Sequence, residues 1–306
     1  MKILHFAGIY GDIESLKVLR DKSKEIGDLE LALCTGNLLS NVVIGQKAQE
    51  MHLSFQNVMN GLKLTRQVNP DEMTQILNKV KDDSNAPEQL RKSAETYLKH
   101  QEEFDKEASE KYLEIKEIFS EFPCPVLMIP GRSDPVQSLF VFKESHLNER
   151  ELTQKNNDGI KFYGYGSNEI VAGSIPFLRR IPFSQERLYE LMNKVCPNVA
   201  LVNVLAYGVQ DRNAQGKSTG NFGTLSYLLE SSPDLMLCGD NGNIPSSGVK
   251  GNSVVVNPSQ LGKRSERDNG GFYTKIDYDF SLRKINLTHQ NITNPSYNQS
   301  SRYTLE

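Results

Sequence analysis

The chain has 306 residues with a formal net charge of -3, and its 38% hydrophobic and 24% charged residues are ordinary proportions for a globular protein. That length is enough to bury a substantial core, and the slight acidity provides no basic field for nucleic acid or an anionic membrane surface. No apolar run reaches the length of a membrane span, and the opening residues meet Gly, Asp and Glu before a signal-peptide core could develop.

In chain order, the spacing predicts a buried strand over Lys2 to about Phe6, followed by a close turn carrying Gly8 and Gly11. Asp12 is placed to cap a helix whose apolar residues Ile13, Leu16, Leu19 and Ile26 recur at helical spacing. A second strand, "LELALC", ends at the turn "TGN". This β-α-β opening implies a sheet covered by helices. Residues 41–121 carry no strand pattern. Met51, Phe55, Val58 and Leu62 share one helical face, Pro70 starts another helix, and a long stripe from Leu90 through Tyr97, Ala108, Tyr112 and Ile115 to Phe119 marks a third. Such a stripe serves packing against neighbouring helices or, alternatively, a partner-binding coiled coil.

Strands resume with "CPVLMI", which ends in the turn "PGRSD". Short β segments are expected around 160–173, then a helix in "SQERLYELMNKV", the strand "VALVNVLAYG" and a helix in "FGTLSYLLES". "DLMLC", "NSVVVN", "GFYTKIDYDF" and "LRKINL" complete a strand-rich end. The polar residues 289–306 have little to bury and are expected to form a mobile tail after a single domain spanning 1–288.

Cys34, Cys124, Cys196 and Cys238 match no zinc spacing, and three of them lie in apolar runs, where cysteine packs as a small hydrophobe. This usage suits a reducing, cytoplasmic setting, although a Ser/Asn/Gln-rich C-terminus could also act as a signal for specialised secretion. "QGKST" lacks the leading glycine of a phosphate-binding loop, since Asp211 stands there, and "YGYGSNE" has no helix after it. Ser133 sits beside Asp134, but no motif places a histidine or lysine near it to activate it as a nucleophile.

Each apolar strand ends in a glycine-containing turn: "FAGIYG", "CTGN", "IPGRSD" and "LCGDNG", with "VVVNPSQLG" near the end. This ordered set resembles the calcineurin-like metallophosphoesterase superfamily, in its simpler bacterial and archaeal form, over most of residues 1–286. The resemblance implies a four-layer α/β/β/α sandwich, with 41–121 as a helical insertion near the site. In that family the turns read D-x-H-G, G-D and G-N-H-D or G-N-H-E; a strand-end histidine and a G-H-x-H turn follow. Their side chains hold two divalent metals that clamp a phosphate and activate water.

Carried over residue by residue, the motif falls on Gly8 and Tyr10 in the first turn and on Asn37 in the second. Arg132, Ser133 and Asp134 occupy the third, Asn203 takes the strand-end histidine position, and Asp240 and Gly242 stand where the last turn has histidines. Only Asp134 matches. Two metals need imidazole or carboxylate donors at about 2 Å. Gly8 and Gly242 have no side chain, Tyr10 is a phenol, and Arg132 brings a fixed positive charge. The chain is therefore expected to be a pseudoenzyme with no cofactor, acting by binding a protein through its helical segment or a small anionic ligand at the old pocket.

Arg132 is expected either to pair with Asp240 or Asp134 or to bind an anion. Two alternatives stay open. One is a phosphoester hydrolase with a rebuilt site, holding one Mg or Ca ion through Asn37, Asn203 and Asp240. The other is an oligomerising structural protein that uses the helical segment as its contact.

Overall fold

The computed structural model describes residues 1–39, 45–63, 70–131, 134–154, 159–166, 184–209, 211, 218, 220–239, 244–263 and 270–306. The first strand, β1 (Lys2–Phe6), leads into α1 (Ile13–Lys24), where the Asp12 carboxylate accepts from the Ser15 amide at 3.0 Å as the sequence anticipates. After β2 (Leu31–Cys34) come α2 (Gly45–Gly61), α3 (Pro70–Asp82) and α4 (Glu88–Ser120), and then β3 (Val126–Met128). The second half contains α5 (Gln137–Val141), β4 (Glu151–Gln154), β5 (Ile160–Tyr165), α6 (Gln185–Val195), β6 (Val199–Val202), α7 (Phe222–Ser231) and β7 (Leu235–Cys238). It closes with β8 (Ser246–Lys250), β9 (Ser253–Asn257), β10 (Phe272–Asp279), β11 (Lys284–Asn291) and β12 (Asn298–Thr304).

These strands form two six-stranded mixed sheets, in the orders β12-β11-β10-β1-β2-β3 and β4-β5-β6-β7-β9-β8. Within them, β1, β2 and β3 run parallel, as do β5, β6, β7 and β9. Parallel strands buried on both faces read as continuous apolar runs, and "LALC", "VALV" and "LMLC" do. Ile3, Leu31 and Leu33 meet Leu201, Leu237 and Val256 between the sheets. On the outer face of the first sheet, Leu4, Phe6, Ala32 and Cys34 pack under α1 and the C-terminal half of α4. On the second, Ala200, Val202 and Met236 pack under α6 and α7. The result is the α/β/β/α layering expected from the sequence.

The long stripe on α4 has two uses. Ala108, Tyr112, Ile115 and Phe119 join the sheet core, whereas Leu90, Ala94 and Tyr97 build a separate small core with Met51, Val58, Met73 and Leu77 of α2 and α3. The helical block between β2 and β3 thus carries its own apolar centre. Among the described residues, no helix is long and apolar enough to cross a membrane.

The expectation of a mobile end over 289–306 is corrected. Strand β11 continues to Asn291, and β12 pairs antiparallel with it from Lys284↔Thr304 to Gln290↔Asn298. Backbone pairing orders β12, which is mostly exposed, while His289, Asn291, Ile292 and Leu305 of the same stretch are buried. The cysteine expectation also changes in part. Cys34 and Cys238 are buried in strands, but Cys196 is exposed and Cys124 half-buried. Strand β5 satisfies the first part of the expected 160–173 segment; 167–173 fall outside the described residues.

Candidate functional site

The turns after the parallel strands meet at one edge. The Gly8, Tyr10 and Gly11 amides of the first turn donate to the carbonyls of Gly36 (2.9 Å), Asn37 (3.0 Å) and Leu38 (2.8 Å) in the second. The turn after β9 docks on the first from the other side, with the Leu261 and Gly262 amides each 2.8 Å from the Ala7 and Gly8 carbonyls. The third turn lies against the second. A Cβ on Gly131 would stand 1.9 Å from the Asn37 nitrogen, and one on Gly36 would stand 2.1 Å from the Gly131 nitrogen, so both positions require glycine.

Asp134 locks this contact. Its Oδ2 accepts from the Gly131 amide at 2.7 Å, and its Oδ1 accepts from the amides of Leu38 (2.8 Å) and Leu39 (3.1 Å) and from the Tyr112 hydroxyl (3.2 Å). One carboxylate therefore joins two turns and helix α4. Complete burial pushes its pKa up to about 6, against the lowering effect of those hydrogen bonds.

The two sheets are joined at the same edge. The Thr35 hydroxyl donates to the Cys238 carbonyl at 2.8 Å, and His5 Nε2 lies 3.0 Å from that hydroxyl. Because the Thr35 proton is committed to Cys238, His5 must donate through Nε2, leaving Nδ1 bare; this buried atom has no hydrogen-bond partner among the described residues. Gly239 sits so close that a Cβ would be 2.7 Å from the Asn203 carbonyl and 3.1 Å from that of Thr35.

Of the residues singled out in the sequence, Gly8, Tyr10, Asn37, Asp134 and Asn203 come to this edge. Tyr10, Asn37 and Asn203 are 8%, 6% and 5% exposed, and the Asn37 amide nitrogen stands 3.5 Å from the Tyr10 hydroxyl. Tyr10 and Asn37 both have left-handed backbone, φ 54° and 57°. Arg132, Ser133, Asp240 and Gly242 lie outside the described residues, as do 212–217 and 219 of the "QGKST" segment and its surroundings. Sequence reasoning missed Thr35 and His5. The signals were a hydroxyl directly before "GN" and a histidine at an inward-facing position of β1.

No family model matches the sequence, and no curated protein matches it. Among solved structures, the TT1561 protein of Thermus thermophilus superposes with a TM-score of 0.54 at 15% identity, over 95% of this chain and 98% of its own. A second solved structure gives 0.58 at 15% identity, covering 100% and 99% of the two chains. A conserved uncharacterized protein of Streptococcus pneumoniae, described as a predicted phosphoesterase, has a TM-score of 0.38 at 10% identity, with coverage of 99% and 97%. Two mixed sheets in the expected layering, with the motif turns gathered at one edge, decide the architecture. The chain has the calcineurin-like metallophosphoesterase fold.

Metallophosphoesterase chemistry asks this edge for carboxylates and imidazoles. At the described positions it presents a glycine, a phenol and two carboxamides, and the one acid, Asp134, has both oxygens engaged by backbone amides. Among the described residues, no group of three or more His, Cys, Asp or Glu is placed to hold a metal. The described side chains alone do not make up the donor set of a two-metal site. They can hold the turns rigidly and present a buried amide-rich surface.

Proposed function

We propose that the protein is a pseudoenzyme of the metallophosphoesterase fold that acts by binding. One observation carries this reading: Asp134, the single described motif acid, accepts from the amides of Gly131, Leu38 and Leu39, so it serves the frame of the site and not a metal. The neutral Tyr10 and Asn37 beside it supply none of the charge that a phosphate-clamping metal pair needs. The helical block supports a protein partner as the thing bound. Helices α2 and α3 pack on the N-terminal half of α4 in a core of their own, apart from the sheet core, and display Leu53 on the surface.

The test joins metal content with turnover. Protein purified without chelator is measured for bound metals and assayed against aryl phosphate mono- and diesters with Mg, Ca and Mn added. The expected result is metal well below one per chain and no hydrolysis above a Tyr10→Ala, Asn37→Ala double variant. One cation per chain together with hydrolysis abolished in that variant would establish the rebuilt-site hydrolase instead.

A further inference from the structure

We propose that the cleft between the C-terminal end of α1 and the outer face of β10 and β11 binds a small phosphorylated polyol, of the sugar monophosphate class. Beyond the C-terminal end of helix α1, the outward residues of β10 and β11 form the floor of a depression of about 620 Å³, within the range of small-molecule sites. Strand alternation sends Thr274, Ile276 and Tyr278 inward and leaves Lys275 on the floor, with Thr288 its register partner on β11. This cleft shares no residue with the turn cluster.

Available positive charge points to an anion. Lys22, in the last turn of α1, and Lys275 both line the cleft, and among the described residues neither has an ion-pair partner. Lys2 at the margin is already held by the Gly27 carbonyl at 3.0 Å and by Asp28 at 3.6 Å, so the two remaining ammonium groups are the available charge. A second feature is a stranded donor. Tyr273 gives its hydroxyl proton to Gln290 at 2.8 Å, but the Tyr297 hydroxyl, at the cleft wall, is enclosed with no hydrogen-bond partner among the described residues. An unmet buried hydroxyl costs about 1–3 kcal/mol, a penalty that a ligand oxygen would remove once the ring turned to bring this enclosed atom to the cleft.

The acids in the same lining refine the class. Three lysines stand with Glu25 and Asp277, which repel a polyanion but accept hydrogen bonds from hydroxyl groups. A ligand with one phosphate for Lys22 and Lys275 and several hydroxyls for Thr288 and the acids matches this pattern. An apolar ligand does not, because most of the exposed lining is polar.

The experiment is calorimetric titration of the full chain with glucose 6-phosphate, with glucose and inorganic phosphate titrated separately. The expected result is saturable binding, weakened by added salt, weakened about tenfold or more in a Lys22→Ala, Lys275→Ala double variant, and unchanged in Lys194→Ala on α6. Both lysine variants should melt with the parent. No saturable heat with glucose 6-phosphate, or equal binding by the double variant, overturns the site. Inorganic phosphate binding as tightly as the sugar phosphate overturns the polyol assignment.

Discussion

Thr35 and Cys238, 203 positions apart in sequence, are joined by a hydrogen bond of 2.8 Å that links the two sheets at the edge where the motif turns meet. The Thr35 hydroxyl also accepts from buried His5, so one side chain satisfies two groups that water cannot reach. Thr35→Val keeps the shape and strands both, at about 1–3 kcal/mol. Thr35→Ser retains the hydroxyl and should lose less than half as much. Urea unfolding of the three proteins checks this; equal midpoints for the valine and serine variants would remove the sheet-joining role.

Glycines at the turns separate close approach from mere backbone freedom. Gly131→Ala drives a Cβ into the Asn37 backbone at 1.9 Å and should cost at least about 3 kcal/mol or abolish soluble expression. Gly208 has φ 74° but nothing within 4 Å of an added Cβ, so Gly208→Ala should cost only about 1–2 kcal/mol. Comparable losses at the two positions would show that turn strain, and not contact between the turns, dominates.

What was legible in the sequence follows from what each residue must do alone. Runs such as "LALC" and "LMLC" announce buried parallel strands because both faces must be apolar, and Asp12 announces a cap because it serves an amide three residues away. Strand β12 was not legible: "NQSSRYT" gains its order from backbone pairing with β11, which no side-chain pattern reports. Likewise "GRSD" showed that Asp134 matched a motif but not that its carboxylate would be spent on Leu38 and Leu39, nearly a hundred residues earlier. Contacts of that separation depend on how the turns converge.

A row of buried polar groups predicts acid sensitivity. His5, Thr274 and His289 are register partners across β1, β10 and β11, and His289 Nδ1 lies 2.8 Å from the Thr274 hydroxyl. Burial lowers the His5 pKa to about 3, helped by His289, and lowers that of His289 to about 4. The unfolded chain, with histidines near 6.5, therefore binds more protons than the folded one between those values. Their stabilisation is complete above about pH 6.5 and is lost as the pH falls toward 4. His289→Gln should flatten the fall in urea midpoint over that window; a variant curve parallel to the parent's would refute the assignment.

Asp134 works in the opposite direction over part of the same range. Its folded pKa of about 6 lies above the ordinary carboxylate value, so the folded chain binds the extra proton between about pH 4 and 6. The contribution of this group to stability is thus greatest near pH 4 and declines as the pH rises through 6, when the full cost of burying its charge is present. Asp134→Ala strands three amides and the Tyr112 hydroxyl and should cost at least about 3 kcal/mol at neutral pH. Asp134→Asn keeps an acceptor for Leu38 and Leu39 but turns an amide group toward the Gly131 N–H, so it should fall between the two and cannot titrate. The stability gap between the parent and Asp134→Asn should therefore shrink from pH 4 to pH 6. The two depressed histidines and the raised carboxylate act in opposite directions over this range. Urea unfolding at closely spaced pH values separates the two effects, and a gap that stays constant from pH 4 to 6 would mean that Asp134 remains ionised throughout.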